Sequence, residues 1–250
     1  MKRRARKLFF FISAVALGLL FALAYHGLPA IGLVESRYGD LVNAITVPER
    51  HITDAVTAVN FDVRGFDTLG EEFILFTSVM GVVLLMRRQK DEPGGNHEDK
   101  ARGRVIPPAS DAVRVTALLL VAPTIVFGLY IVAHGQVSPG GGFQGGVILS
   151  TASLLLYLCA SYSQFRRAAP KRLIEAAEAF GATLYILIGA GGVLLGGLFL
   201  ENVLPLGKAG TLASSGTVFF INLGVGLEVS GGLVLVLLIY LEELVEEKEQ

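Results

Sequence analysis

Six apolar stretches, each long enough to cross a lipid bilayer, alternate with polar segments along the chain. A transmembrane helix needs about 17–25 predominantly apolar residues, and a helix satisfies its own backbone hydrogen bonds in lipid. The pattern therefore predicts an all-α, polytopic membrane protein with about six transmembrane helices. The predicted spans are Leu8–Tyr25, Leu69–Met86, Val115–Ala133, Phe143–Tyr162, Ala179–Leu200 and Ser214–Leu241.

The basic residues between these spans predict the orientation. Basic residues concentrate in cytoplasmic segments of membrane proteins. The N-terminus and the segments after the second and fourth spans are basic, whereas the 135–142 loop has no basic residue and the 201–215 loop has only Lys208. We therefore expect both termini on the cytoplasmic side of the inner (cytoplasmic) membrane. The 26–68 loop fits less well, because it carries Arg37, Arg50 and Arg64.

The first span has a second interpretation. A basic start, an apolar run and Ala22-Leu23-Ala24 also fit a cleavable signal peptide. We favour a retained transmembrane helix, because the apolar run is long for a signal peptide.

A polar linker divides the spans into two groups. Residues 90–109 contain Pro93-Gly94-Gly95 and Pro107-Pro108, which is typical of a flexible connection. We expect a two-span module over residues 1–89, a cytoplasmic linker over 90–109 and a four-span module over 110–245. In the first loop, Thr46-Val47-Pro48-Glu49 fits a capping box and predicts that a short amphipathic helix starts there.

Composition narrows the classes of function. Charged residues make up 17% of the chain and hydrophobic residues 52%, whereas soluble domains have about 25% charged residues. A net charge of −1 gives no attraction to nucleic acid, and the single cysteine, Cys159, excludes an internal disulfide. Four histidines without paired spacing give no zinc site. We find no nucleophile–base pair and no P-loop, so we expect no enzyme activity, no cofactor and no metal site.

Glu228 is the first candidate for chemistry, because it stands near the middle of the sixth predicted span. A carboxylate at that depth is costly in free energy, and such residues often mark ion paths. It can bind and release a proton, or bind a cation when ionised. Two alternatives remain: a structural carboxylic acid hydrogen-bonded to a neighbouring helix, or a span displaced so that Glu228 lies nearer one surface.

Two further pairs of carboxylates begin predicted spans. Thr68-Leu69-Gly70-Glu71 fits a capping box, which accounts for Glu71 but not for Glu72. Glu175 and Glu178 lie near Lys171 and Arg172 at the start of the fifth span. For this second pair we favour a solvated, charged helix start, with a cation funnel as the alternative. All four are candidate ion-path residues.

The loop between the third and fourth spans is the most unusual segment. His134 ends the third span, and histidine can change its charge near neutral pH, although a lone histidine is more often structural. Gly140, Gly142 and Gly145 match a dinucleotide-binding spacing, but they follow a membrane helix instead of a strand. We instead predict a tight re-entrant turn, either purely structural or with backbone carbonyls or Gln144 contacting an ion. Its residues are Pro139, Gly140, Gly141 and Gly142.

The fifth span is rich in glycine. Gly192 and Gly196 form a GxxxG pair, which lets membrane helices pack closely. We interpret this pair as a helix-packing face.

The 110–245 module resembles a known family. The run from Val121 to Tyr130, then His134-Gly135, then Ser138-Pro139-Gly140-Gly141-Gly142-Phe143-Gln144-Gly145-Gly146, resembles the MnhB/MrpB subunit of Mrp-type multisubunit sodium/proton antiporters. The resemblance covers about residues 110–243. In the first module, the run from Asp62 to Glu71 is similar to the C-terminal end of the large MrpA subunit, which also exists as a small subunit of membrane-bound hydrogenases.

The resemblance implies a non-catalytic subunit of a cation/proton antiporter, assembled with other antiporter subunits and serving pH and sodium homeostasis. Sodium ions and protons would be transported, with Glu71 and Glu228 as candidate ion-path groups. Two alternatives remain: a membrane subunit of a redox-driven complex such as a membrane-bound hydrogenase, and a purely structural scaffold subunit. A self-sufficient transporter is less favoured, because no inverted repeat is detectable.

Overall fold

The computed structural model describes residues 3–28, 36–86, 110–160 and 162–243, and these residues form helices and no strands. Six of the helices are long and apolar enough to cross a membrane, namely α1, α4, α5, α6, α8 and α9. This confirms the predicted all-α polytopic fold. The helices are α1 (Arg3–His26), α2 (Arg37–Thr46), α3 (Ala55–Ala58) with a π-helical turn (Val59–Val63), α4 (Gly65–Leu85), α5 (Asp111–Ala133), α6 (Gly142–Cys159), α7 (Tyr162–Ala168), α8 (Lys171–Leu194) and α9 (Thr217–Glu243).

The chain divides into two compact units, Met1–Leu41 and Val42–Gln250. The first unit holds α1, whose described side chains are exposed along the whole helix. The second unit holds the five other spans and the polar residues that concern us below. The predicted linker at residues 90–109 lies outside the described residues, so the two-module division stays a prediction.

Several spans begin or end away from the predicted positions. Helix α4 begins at Gly65, four residues before the predicted Leu69, and α8 begins at Lys171 instead of Ala179. Hydropathy marks only the apolar part of a helix, whereas the helix itself continues through charged turns. Helix α8 also ends early, at Leu194, because the chain turns at Gly196 with a φ of 89°.

Helix α9 is the central helix of the second unit. It packs against α4, α6 and α8. In its most apolar window 61% of the residues are buried, compared with 17–28% for α4, α5, α6 and α8. A helix that is apolar on all sides is expected to be surrounded by other helices, which accounts for the uniformly hydrophobic sequence of α9.

Glycines of α6 allow it to approach α9 closely. A Cβ atom on Gly142 would lie 2.5 Å from the Val225 Cβ, and one on Gly146 would lie 2.7 Å from the Val229 Cβ. Neither position could hold a larger side chain without moving a helix, because protein interiors leave no space for added atoms.

Two hydrophobic clusters surround α9 at different levels. The first cluster lies along the N-terminal half of α9 and includes Leu69, Tyr185, Leu200, Ile221 and Val225. The second lies along its C-terminal half and includes Val79, Ile174, Leu235, Leu238 and Ile239. The polar groups described below lie near the boundary between these clusters.

Two local predictions are wrong. The segment from Thr46 does not start a helix: α2 ends at Thr46, and the next helix is capped by Asp54, whose carboxylate accepts from the Thr57 N–H at 2.8 Å. The Gly192/Gly196 pair does not form a helix–helix face. Gly192 packs against the chain that follows α8, at Leu198 and Glu201, and Gly196 lies beyond the end of the helix.

Candidate functional site

Three carboxyl side chains from three different spans are buried near the boundary between the two hydrophobic clusters. Glu72 of α4 is 2% exposed, and Glu178 of α8 and Glu228 of α9 are each 1% exposed. Hydrophobic residues lie on both sides along the α9 axis. The site is therefore enclosed by this chain alone.

The crossing of α8 and α9 depends on glycines that lie beside two of these carboxyl residues. A Cβ on Gly181 would lie 2.5 Å from the backbone nitrogen of Glu228, and a Cβ on Gly231 would lie 2.8 Å from the backbone nitrogen of Glu178. Because these positions have no side chain, the two helices approach at backbone distance. This close approach places the turn of α8 that carries Glu178 beside the turn of α9 that carries Glu228.

The side chain of Glu178 lies between α9 and α4. A Cβ on Gly232 would stand 3.4 Å from the Glu178 Oε1 and 3.1 Å from a methyl group of Val79. Glu178 is also near enough to Glu228 for their charges to interact. The packing of α4, α8 and α9 therefore places the Glu178 carboxyl group near both α4 and α9.

Glu72 and Glu228 face each other across the α4–α9 interface. Their carboxyl groups interact across this interface. Within the described part of the chain, none of the four oxygens has a hydrogen-bond partner. The Oε1 of Glu178 also lacks a hydrogen-bond partner among the residues that the structure describes. Buried polar atoms without partners are rare, and they often mark a functional site or an ion or water. An ionised carboxylate in such a position needs a proton or a cation as its partner.

A buried tyrosine sets the register of α8 against α4. The hydroxyl group of Tyr185, which is fully buried, donates a hydrogen bond to the backbone carbonyl of Gly65 at 2.8 Å. Seven residues, or about 10 Å of helix, separate Gly65 from Glu72 and Tyr185 from Glu178. Helices α4 and α8 are antiparallel, so a step forward along α4 and a step backward along α8 lead to the same side of this contact. The hydrogen bond therefore places Glu72 and Glu178 at a similar level.

In each of the two predicted glutamate pairs, the structure buries one member and exposes the other. Glu71 and Glu175 are exposed, whereas Glu72 and Glu178 are buried. The capping box at Thr68–Glu71 is wrong, because both residues lie inside α4 and the Thr68 hydroxyl donates to the Asn60 carbonyl instead. The solvated helix start is also wrong for Glu178, because Glu178 lies two turns inside α8.

The other predicted site residues lie away from this cluster. His134 follows the end of α5, where its ring stacks on Tyr130 with centroids 4.1 Å apart. Gln144 is exposed on the first turn of α6. Neither joins the three buried glutamates, and their contact with an ion stays a prediction.

The glycine-rich turn joins α5 to α6 and is held against α9. Gly140 and Gly141 have φ angles of 159° and 136°, which favour glycine. The fully buried Asn222 accepts a hydrogen bond from the Gly142 N–H at 3.0 Å. The predicted tight turn thus has a clear structural role.

Sequence reasoning missed several buried polar residues. Gln136 is fully buried and donates to the backbone carbonyls of Ala133 and Leu212, at 3.0 and 2.8 Å. Asp62 pairs with Arg50 at 3.1 Å between Nε and Oδ2. Burial raises the pKa of the Asp62 carboxyl, and the positive charge of Arg50 opposes part of that rise. A polar residue inside an apolar run, as with Asn222 in α9, is the signal that could have been used.

Some known proteins are similar to the C-terminal half of this chain, and others are similar to almost its whole length. Residues 112–235 match the model of a domain related to the MnhB subunit of Na+/H+ antiporters. A curated relative from Bacillus subtilis, the B-type subunit of a Na(+)/H(+) antiporter, is 37% identical over 129 residues, which cover 49% of this chain and 87% of that protein.

Two solved complexes contain chains with a similar fold. One is a chain of the membrane-bound sulfane sulfur reductase, an archaeal respiratory membrane complex: identity is 29%, the TM-score is 0.70, and the match covers 95% of this chain and 98% of that one. The other is a chain of the Mrp complex from Dietzia sp. DQ12-45-1b, with 25% identity and a TM-score of 0.71, covering 96% of this chain but 26% of that longer one. On the strength of the Bacillus subtilis match, which spans most of that relative's length, this chain belongs to the MnhB family of Na+/H+ antiporter subunits.

Proposed function

We propose that the chain is a non-catalytic membrane subunit of a multisubunit sodium/proton antiporter, and that its buried carboxyl groups take part in ion transfer. The role in ion transfer rests on the burial of Glu72, Glu178 and Glu228, most of whose oxygens have no hydrogen-bond partner among the described residues. Retaining three costly groups inside an apolar bundle is expected where protons or cations are exchanged.

Each of the three carboxyl groups can hold a proton or, when ionised, bind a monovalent cation. A proton exchanged between Glu72 and Glu228 would travel only a short distance, because the two carboxyl groups interact across the α4–α9 interface. Coupling to cation passage in the opposite direction would then use the membrane potential, which supplies about 2.3 kcal/mol per charge per 100 mV. Such a protein would support pH and sodium homeostasis.

The setting follows from the same proposal. The protein would lie in the inner (cytoplasmic) membrane, with both termini in the cytoplasm and with other antiporter subunits as partners. The first module would correspond to the end of a large MrpA-type subunit. The similarity of the run from Asp62 to Glu71 to that end supports this.

A second candidate is a subunit of a redox-driven membrane complex, with enzyme activity in other chains. The observation that favours it is the end-to-end match with a chain of the sulfane sulfur reductase complex, which covers 98% of that chain. A purely structural scaffold subunit is the third possibility.

Affinity purification of the tagged chain from its native membrane, in mild detergent, separates these candidates. Mass spectrometry then identifies the chains that co-purify. Antiporter subunits support the proposal, whereas hydrogenase or other redox subunits support the second candidate. A lone monomer or a homo-oligomer would overturn both.

Sodium-dependent proton flux in membrane vesicles then tests the role of the carboxyl groups. We expect Glu228→Gln and Glu72→Gln to lower the flux strongly, while Glu175→Gln, which changes an exposed carboxyl on α8, serves as the matched control. Full flux in both buried variants would leave only the scaffold role.

A further inference from the structure

Besides the buried Glu72 and Asp67, which pairs with Arg64, helix α4 carries Glu71 on a face turned away from the buried cluster. Glu71 directly follows Gly70 and precedes the buried Glu72, so the two glutamates point about 100° apart around the helix. Glu71 is exposed, and it lies about 9 Å along the axis from the start of the helix at Gly65. In a span of 21 residues, this is about a third of the way across.

An exposed carboxyl group at this depth does not fit a surface that faces lipid. Ionisable side chains inside membranes face a bundle interior, a watery cavity or a partner, because hydrocarbon solvates charge poorly. Glu71 has no ion pair or hydrogen bond within the described part of the chain. Its partner therefore lies outside the described part of the chain.

The same face of α4 is shaped for a close helix neighbour. Gly70 and Gly81 would each accept a Cβ with nothing within 4 Å, so the surface beside them is open. Ile74 is 69% exposed, and Ser78 is exposed with its hydroxyl satisfied by the Ile74 carbonyl at 2.7 Å. Small and hydroxyl-bearing residues are typical of contacts between membrane helices. The residues of this surface, which we call the Glu71 face, are Gly70, Glu71, Ile74, Ser78 and Gly81.

We propose that the Glu71 face binds a transmembrane helix of another membrane subunit, and that this helix presents a basic side chain (lysine, arginine or histidine) at the depth of Glu71. Charge complementarity selects this occupant, because a cation at that depth would compensate the carboxylate. The first span of the same chain does not fit, since residues 8–25 contain no charged side chain. A second copy of the chain would place Glu71 against another small, acidic face. This inference rests on the proposed role as a complex subunit.

Site-specific photocrosslinking in the intact complex tests this proposal. A photoreactive benzoylphenylalanine is placed at Ser78 or at Ile74, and the irradiated complex is purified in mild detergent. The matched control is the same residue at Leu119 of α5, which is 69% exposed on an apolar surface. We expect a covalent adduct with another membrane chain from Ser78 and Ile74, at a yield several-fold above that from Leu119. The crosslinked peptide should contain a basic residue within a transmembrane segment.

Charge variants test whether Glu71 itself selects the partner. Glu71→Lys in the Ser78 crosslinking background should lower the adduct yield several-fold, and Glu71→Gln should lower it less. Glu175→Lys, on an exposed turn of α8, is the matched control and should leave the yield unchanged. If the lysine variant fails to assemble, adduct formation from Ser78 with native Glu71 still decides the question.

Three results would overturn the inference. They are adducts with lipid alone, adducts with α1 or a second copy of this chain, and an adduct yield that Glu71→Lys does not change. Any of these could occur while the antiporter subunits still co-purify, in which case the proposed function stands and only the Glu71 face is wrong. Loss of co-purification in the native protein would contradict the proposed function itself.

Discussion

Gly181 of α8 lies so close to Glu228 of α9 that a Cβ atom on Gly181 would stand 2.5 Å from the Glu228 backbone nitrogen. The carboxyl cluster therefore depends on a glycine from the neighbouring helix as well as on the acids themselves. Close helix approach and buried charge are thus two parts of one arrangement.

Gly181→Ala should separate α8 from α9 and destabilise the protein by about 1–3 kcal/mol, because the added methyl group meets backbone atoms that cannot rotate away. The matched control is Gly191→Ala in the same helix, where a Cβ would meet nothing within 4 Å. We expect the control to be neutral or slightly stabilising, since alanine favours helices. Thermal unfolding of the purified complex in detergent measures both variants; equal melting temperatures would contradict the assigned packing.

Replacing buried acids by apolar residues should separate stability from transport. Glu72→Met and Glu178→Met remove unpartnered polar oxygens at similar volume, so the free energy of unfolding should stay the same or rise. Sodium-dependent proton flux should nevertheless fall strongly. Stability is followed by thermal unfolding and flux by a pH-sensitive dye in vesicles. A large loss of stability together with normal flux would indicate that the acids are structural.

Glu72 and Glu228 should behave as a coupled pair. Because their carboxyl groups face each other, the double variant Glu72→Gln/Glu228→Gln should lose less flux than the product of the two single losses. Glu228→Gln combined with the exposed Glu175→Gln supplies the control, which should be multiplicative. Multiplicative losses in both double variants would show that the two buried groups act separately.

Tyr185→Phe should cost about 1 kcal/mol, because it removes the hydroxyl group that donates to the Gly65 carbonyl. Tyr240→Phe is a suitable control, since Tyr240 is 50% exposed. Thermal unfolding measures the difference. If Tyr185→Phe is as stable as the control variant, this hydrogen bond does not fix the register of α4 and α8.

Asp62 gives a prediction of pH-dependent stability. Burial raises the pKa of this carboxyl above its unfolded value, so the folded state binds more protons than the unfolded state between the two values. The contribution of Asp62 to stability is therefore fully present below the unfolded pKa and is lost as the pH rises through the folded pKa. Asp62→Asn should remove the fall in stability that Asp62 causes as the pH rises from the unfolded to the folded pKa. Thermal unfolding across pH measures this change. An unchanged pH dependence would contradict the raised pKa.

The sequence by itself determined the number of spans and the family resemblance. Apolar runs long enough to cross a bilayer predict helices without reference to tertiary contacts, because in lipid the backbone must satisfy its own hydrogen bonds. Glu228 could be selected in the same way, since its position in the middle of an apolar run requires an explanation.

Only the tertiary structure decided which glutamate of each pair is buried. Glu71 and Glu72 are neighbours in sequence and chemically identical, and the same ambiguity applies between Glu175 and Glu178, one turn apart. The rotation of α4 and α8 about their axes separates them, and that rotation is set by contacts far away in sequence, such as the hydrogen bond from Tyr185 to Gly65 and the packing of Gly231 against Glu178. Side-chain direction on a helix follows from packing against its neighbours, so local sequence could place these carboxyl groups in the membrane but could not bring three of them together.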